Sequence, residues 1–163
     1  MGQTVFIPRE LDANEPRVAA SPDTVKRLAG LGFDVIVESG AGTASRIPDD
    51  EFGKAGAVAK ADVVLKVRRP SEAELKAYRS GTAVIAIMDP HGNDAAVDAL
   101  ARAGATAFSM EFMPRITRAQ SMDVLSSQAN LAGYQAVIDA AAEYDRALPM
   151  MMTAAGTVPA AKA

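Results

Sequence analysis

Apolar and polar positions follow two rhythms along this chain. Short apolar runs with strand character, Thr4–Ile7, Asp34–Val37, Ala61–Val67, Thr82–Ile87 and Ala105–Phe112, alternate with stretches of helical period. Between the first two runs, Ser21 is placed to cap a helix with Pro22 in its first turn; Val25, Leu28 and Ala29 share one face, and Gly30 with Gly32 closes it. Asp49–Ala55 is a second, short helix candidate, a helix capped by Ser71 is expected to run to Arg79, and one capped by Asn93 to run to Ala103. Ala61–Val67 is mostly apolar, as in a strand covered on both faces of a parallel sheet. Five strands separated by helices predict an α/β fold, a doubly wound parallel sheet of flavodoxin-like or Rossmann-like type, because each right-handed crossover covers one face.

Pro114 stops the last strand, and a polar segment, Arg115–Asn130, follows it. A loop leaving a strand end of an open α/β sheet faces the crevice where ligands bind. Arg115, Gln120, Asp123 and Ser126 supply a guanidinium, an amide, a carboxylate and a hydroxyl, a set suited to an amide or a ribose. Gln120, Asp123 and Ser126 lie three apart and so share one helical face, and Thr117 with Gln120 matches a T-x-x-Q capping box. The plain alternative is a polar helix start. Leu131, Tyr134, Val137, Ile138, Ala141 and Tyr144 then recur at helical spacing, predicting a long C-terminal helix over about Ala129–Arg146, either packed on the α/β domain or bridging to something else.

Composition narrows the function. The chain has 163 residues, 49% hydrophobic, enough for one cored domain with an appended helix. A net charge of −3 with interspersed Lys and Arg offers no basic patch for nucleic acid or anionic lipid. No apolar run approaches the roughly 20 residues needed to cross a bilayer, and the first strand begins too early for a secretion signal. With no Cys, disulfides and thiolate metal sites are excluded.

Other candidates are weaker. Gly40-Ala-Gly-Thr-Ala-Ser45 approaches a dinucleotide-binding G-x-G-x-x-G but lacks the third glycine, and a structural turn is the competing reading. Arg17 lies in the loop after the first strand, and Lys66 sits in an otherwise apolar strand, where a cation needs a partner. His91, the only histidine, follows a strand and is either an acid/base group or a surface turn residue. Eight Met residues, including Met150–Met152, fit core or interface better than a metal site.

One resemblance spans essentially the whole chain. Met113–Tyr134 resembles the loop and following helix of the NAD(H)-binding component of proton-translocating NAD(P) transhydrogenase. Pro8-Arg-Glu10 and Glu15–Pro22 resemble that family's N-terminal signature, and Leu31–Gly42, Val64–Val67 and Met150–Pro159 resemble later ones. The resemblance implies an N-terminal α/β domain over residues 1–127, with 128–163 as a connector helix leading toward a Rossmann NAD-binding domain that the sequence does not reach. It implies hydride transfer between NADH and NADP coupled to proton translocation, with NAD(H) on this component and NADP(H) on a partner subunit. Arg115, Gln120, Asp123 and Ser126 would be cofactor-binding, Gln120 and Asp123 catalytic, and no metal is implied. The implied partners are a second copy in a homodimer, an NADP(H)-binding subunit and a membrane proton channel, which places the chain in the cytoplasm, peripheral to the inner membrane, and inactive alone as a fragment. The related alanine dehydrogenases offer an alternative, an NAD-dependent amino acid dehydrogenase using Arg17, Lys66 and possibly His91 on pyruvate. An inert dimerisation fragment is a third reading.

Overall fold

The computed structural model describes residues 2–56 and 60–162, which form two compact units, residues 1–114 and 115–163. Unit 1 holds β1 (Thr4–Ile7), α1 (Pro22–Gly30), β2 (Asp34–Glu38), β3 (Ala55–Gly56), β4 (Val63–Arg68), α2 (Glu72–Leu75), β5 (Ala83–Ile87), α3 (Asp94–Arg102) and β6 (Thr106–Ser109). The strands form one parallel sheet in the order β3-β2-β1-β4-β5-β6. This is the doubly wound Rossmann order, whose direction of progression reverses between β1 and β4.

Strand alternation sorts the core onto two faces. Val5, Ile7, Val35 and Val37 point toward α1 and pack with Val25 and Phe52, while Val64, Val84 and Ala86 pack on the other face with Leu75, Ala99 and Leu100. Each fully buried Val or Ile contributes roughly 1.5–3 kcal/mol relative to exposure. Local signals set the helix starts. The Ser21 hydroxyl accepts from the Thr24 amide with Pro22 in the first turn, and Ser71 and Glu74 form a complete capping box.

Several expectations are corrected. A sixth strand, β3, extends the sheet; it has two residues and no alternation to reveal it. Asp49–Phe52 is a 3-10 turn rather than an α-helix reaching Ala55. The helix after Ser71 stops at Leu75, well before Arg79. Asn93 stands before α3 without capping it, because its side chain bonds the preceding loop instead. The last strand ends at Ser109, and Met110–Phe112 turn into a 3-10 segment.

Unit 2 contains a 3-10 segment (Thr117–Met122), α4 (Val124–Glu143) and an antiparallel hairpin of β7 (Met151–Thr153) and β8 (Gly156–Val158). The long C-terminal helix is present but starts five residues earlier than expected and ends at Glu143. None of its side chains is buried, and the hairpin exposes Met151 and Met152. Among the described residues no helix is long and apolar enough to cross a membrane.

Candidate functional site

In unit 1, the crevice at the sheet's reversal point is built from β1 and β4. Between Leu65 and Arg68 the pairing of β4 with β5 slips by one residue, as at a β-bulge, and the Val67 amide turns away from the ladder to donate to Glu10 Oε1 at 2.7 Å. Lys66, on this central strand, has a side chain only 1% exposed. Its ammonium lies 2.7 Å from Glu74 Oε1 and 3.3 Å from Glu10 Oε2. Glu74 is held in turn by the Ser71 amide and hydroxyl, so the capping box that starts α2 also delivers the carboxylate. Lys66 is thus the ion-paired buried cation, not an edge residue with its head in water.

A cavity of about 460 Å³ opens beside this cluster, lined by Glu10, Lys66, Arg68, Arg69, Glu74 and Asp89 among others. Its far wall is the loop after β5. Asp89 there has φ +46°, a left-handed conformation unusual for a residue before proline. Two clamps hold that turn. Arg69 donates to the Met88 and Asp89 carbonyls at 3.0 and 2.9 Å and to Asn93 Oδ1 at 3.1 Å, while Glu111 accepts from the Met88 and Asp89 amides and the Ser109 hydroxyl. Burial pushes the Glu111 carboxyl up, but the Ser109 hydroxyl and the backbone amides outweigh it and hold it below the ordinary carboxylate range.

Arg17 does not line the cavity. Its Nε and NH2 both reach the enclosed Glu15 carboxylate at 2.6 Å, which Arg68 also approaches at 3.0 Å. The Arg17 hydrogen bond holds Glu15 well below its usual value against the opposing effect of burial. His91 is exposed and packs edge-on against Phe112, with ring centroids 5.7 Å apart. At Gly40-Ala-Gly42 the chain makes a structural turn. Asp49 Oδ1 accepts from the Gly40 amide at 2.8 Å, the position an anion would need, and a Cβ on Gly42 would stand 2.5 Å from the Ile47 carbonyl oxygen.

In unit 2, Asp123 is the N-cap of α4, and this displaces the expected Thr117–Gln120 capping box, which makes no capping hydrogen bond. Asp123 Oδ1 accepts from the Leu125 and Ser126 amides at 3.0 and 3.1 Å, and Ser126 Oγ donates to Oδ2 at 2.6 Å. The Ser126 hydrogen bonds come first in lowering the Asp123 carboxyl from its ordinary value, and the charge of Arg115 adds to them. The Asp123 amide donates to the Gln120 carbonyl at 3.3 Å, while the exposed Gln120 side-chain amide has no hydrogen bond to a described residue. Asp123 and Ser126 are therefore in direct contact, Arg115 acts on Asp123 through its field, and Gln120 presents a free amide.

Sequence reasoning missed the carboxylates around these cations and turns: Glu10 and Glu74 in the wall of the crevice, Glu15 on Arg17 and Arg68, and Glu111 on the loop after β5. Glu74 had a readable signal, Ser71-x-x-Glu74; Glu15 and Glu111 each have a partner two residues away, Arg17 and Ser109, but their remaining partners, like those of Glu10, lie more than twenty residues away and are brought in by the fold.

Known proteins place this architecture. Residues 6–132 match the family described as alanine dehydrogenase/PNT, N-terminal domain. An NAD(P) transhydrogenase subunit alpha chain of Rhodospirillum rubrum is 51% identical over 97% of this chain and 45% of its own length. The crystal structure of transhydrogenase from Sinorhizobium meliloti superposes with a TM-score of 0.92 at 69% identity, over 98% of this chain and 50% of that one. Alanine dehydrogenase of Mycolicibacterium smegmatis is 32% identical over 79% of this chain and 37% of its own length. The chain thus spans between about a third and a half of the length of the transhydrogenase relatives it matches. With the sheet order, the reversal-point crevice and this similarity in agreement, the chain belongs to the alanine dehydrogenase/PNT family and carries its N-terminal domain.

Proposed function

We propose that this chain is part of the NAD(H)-binding component of a proton-translocating NAD(P) transhydrogenase, in which hydride passes between NADH and NADP. The observation that carries the reading is the exposed side-chain amide of Gln120, which has no hydrogen bond to a described residue, in the same segment as a carboxylate and hydroxyl already locked together. The similarity of nearly the whole of this chain to part of the transhydrogenase alpha subunits supports it.

The residues fit one end of the dinucleotide. Arg115, Gln120 and Ser126 offer the donors and acceptors that a nicotinamide carboxamide requires. The pyrophosphate finds no such match, since the Gly40 amide is already bonded to Asp49. Its cradle would belong to a Rossmann domain reached through the connector, residues 128–163. When bound, NAD(H) supplies the hydride, and the protein contributes position and exclusion of water. Asp123 fixes the first turn of α4 and aims Ser126, Arg115 brings positive charge to the same segment, and Gln120 reaches toward the second nucleotide. A homodimer, an NADP(H)-binding subunit and a membrane proton channel are the partners this function requires, and they would hold the chain at the cytoplasmic face of the inner membrane.

In the complete assembly, Gln120→Asn shortens the reach while keeping the amide. Transfer between nucleotides is expected to slow several-fold with NADH affinity nearly unchanged; unaltered transfer rates refute the role.

A second reading, an amino acid dehydrogenase, has one observation in its favour, the buried Lys66 beside the crevice. Against it, Arg17 is paired with Glu15 and does not line that cavity. Alanine-dependent NADH production by the full-length protein would select it.

A further inference from the structure

Among the described residues, two that are not glycine have positive φ. Arg46, at φ 60° and ψ 32°, is an ordinary left-handed residue closing a 3-10 turn. Asp89, at φ +46°, stands directly before Pro90, whose ring crowds the preceding residue toward extended backbone. Such a position is strained, and it persists only where the surroundings over-determine it.

Here they do. Met88 and Asp89 lie just past the last ladder pairs of β5, Ile87 with Arg68 on β4 and Ala86 with Ser109 on β6. Charged side chains take over where the neighbouring strands stop. Glu111, two residues beyond β6, accepts from both amides, and Arg69, one residue beyond β4, donates to both carbonyls. The rest of the loop is tied to the same two places. Asn93 accepts from Arg69 and donates to the Asp89 and His91 carbonyls, and the His91 ring rests on Phe112, next to Glu111.

We propose that the loop after β5 is a latch on the crevice: a strained closed state, clamped from β4 by Arg69 and from β6 by Glu111, whose two clamps release together when Asp89 relaxes to extended backbone. The peptide unit before Asp89 carries its amide and the Met88 carbonyl, and the unit after it carries its own carbonyl. The Asp89 φ sets the angle between these rigid units, so relaxing it cannot leave both clamps in place. Because Arg69 and Asp89 both line the crevice, release moves one of its walls. The open state widens the crevice on its β5 side and frees the Arg69 guanidinium to turn into it.

Hydrogen exchange of the Met88 and Asp89 amides, followed by NMR in the 163-residue chain, reads the latch. Arg69→Met removes only the clamp on the carbonyls, yet both amides, which bond Glu111, should exchange at least about 10-fold faster, the weight of one charged hydrogen bond. Independent clamps would leave them unchanged. Asp89→Gly and Asp89→Ala lose the same carboxylate, but only glycine relieves the strain. The glycine variant should exchange both amides about 2- to 10-fold more slowly than the alanine variant, and added to Arg69→Met it should bring them back toward the parental rate. The Val5 and Ile7 amides, in the core of the sheet, should keep their parental rates throughout. If they quicken with Arg69→Met, that variant has loosened the whole unit, and the comparison of glycine with alanine, with both clamps intact, decides alone. Amides that ignore Arg69→Met in a sheet that is otherwise unchanged, or that exchange as fast with glycine as with alanine at position 89, overturn the proposal.

Discussion

Replacing Lys66 by Met is the sharpest test of how the crevice is built. The substitution keeps most of the side-chain volume but leaves two carboxylates, Glu10 at 3% and Glu74 at 16% side-chain exposure, without their cation. At separations of 2.7 and 3.3 Å and an effective dielectric near 20, the two attractions are about 6 and 5 kcal/mol gross. Desolvation of three ions offsets most of that, and removing one partner from a buried pair typically costs about 3–5 kcal/mol. Unit 1 has 114 residues, so its unfolding entropy is about 0.24 kcal/mol/K, and the loss corresponds to a melting temperature lower by about 12–20 °C. Calorimetry or thermal circular dichroism reads it. The same argument says that the damage is the stranded charge, not the lost bond, so adding Glu10→Gln and Glu74→Gln should restore at least half of the stability; both amides keep the acceptors that serve Val67 and the α2 cap. A single variant within about 1 kcal/mol of the parent, or a triple variant no better than the single, refutes the reasoning.

Further outcomes follow from the same geometry. Glu15, Glu111 and Asp123 all have depressed carboxyl values in the folded chain, so each adds stability that is complete above the ordinary carboxylate range and is lost as pH falls through its folded value. Acid titration should therefore destabilise the chain below about pH 4.5, and Glu111→Gln should flatten that dependence; an unchanged acid profile would show that the clamp on the β5 loop carries no such linkage. Gly42→Ala forces a methyl against the Ile47 carbonyl and the Phe52 ring, and a loss of about 1–3 kcal/mol is expected in urea denaturation. A neutral result would mean that the turn is slack.

Sequence by itself determined the alternation of strands and helices, because apolar residues two or four apart report directly on which face is covered. Val64 and Val84, inside two such patterns, are among the most buried side chains of the sheet. Helix starts were legible at Ser21 and Ser71, where one cap stands directly before the helix, and were misread at Thr117, where a second candidate cap, Asp123, six residues on, is the one that bonds the first turn, and at Asn93, whose side chain bonds the loop before it. The polar segment from Arg115 to Ser126 was visible because its chemistry is written in consecutive residues. Only the tertiary structure decided what surrounds Lys66. Glu10 reaches it because β1 and β4 are neighbours at the point where the sheet reverses, and the bulge that frees the Val67 amide depends on how β4 runs beside β5. Pairings of that kind depend on which strands lie side by side, and a one-dimensional pattern records the strands but not their neighbours.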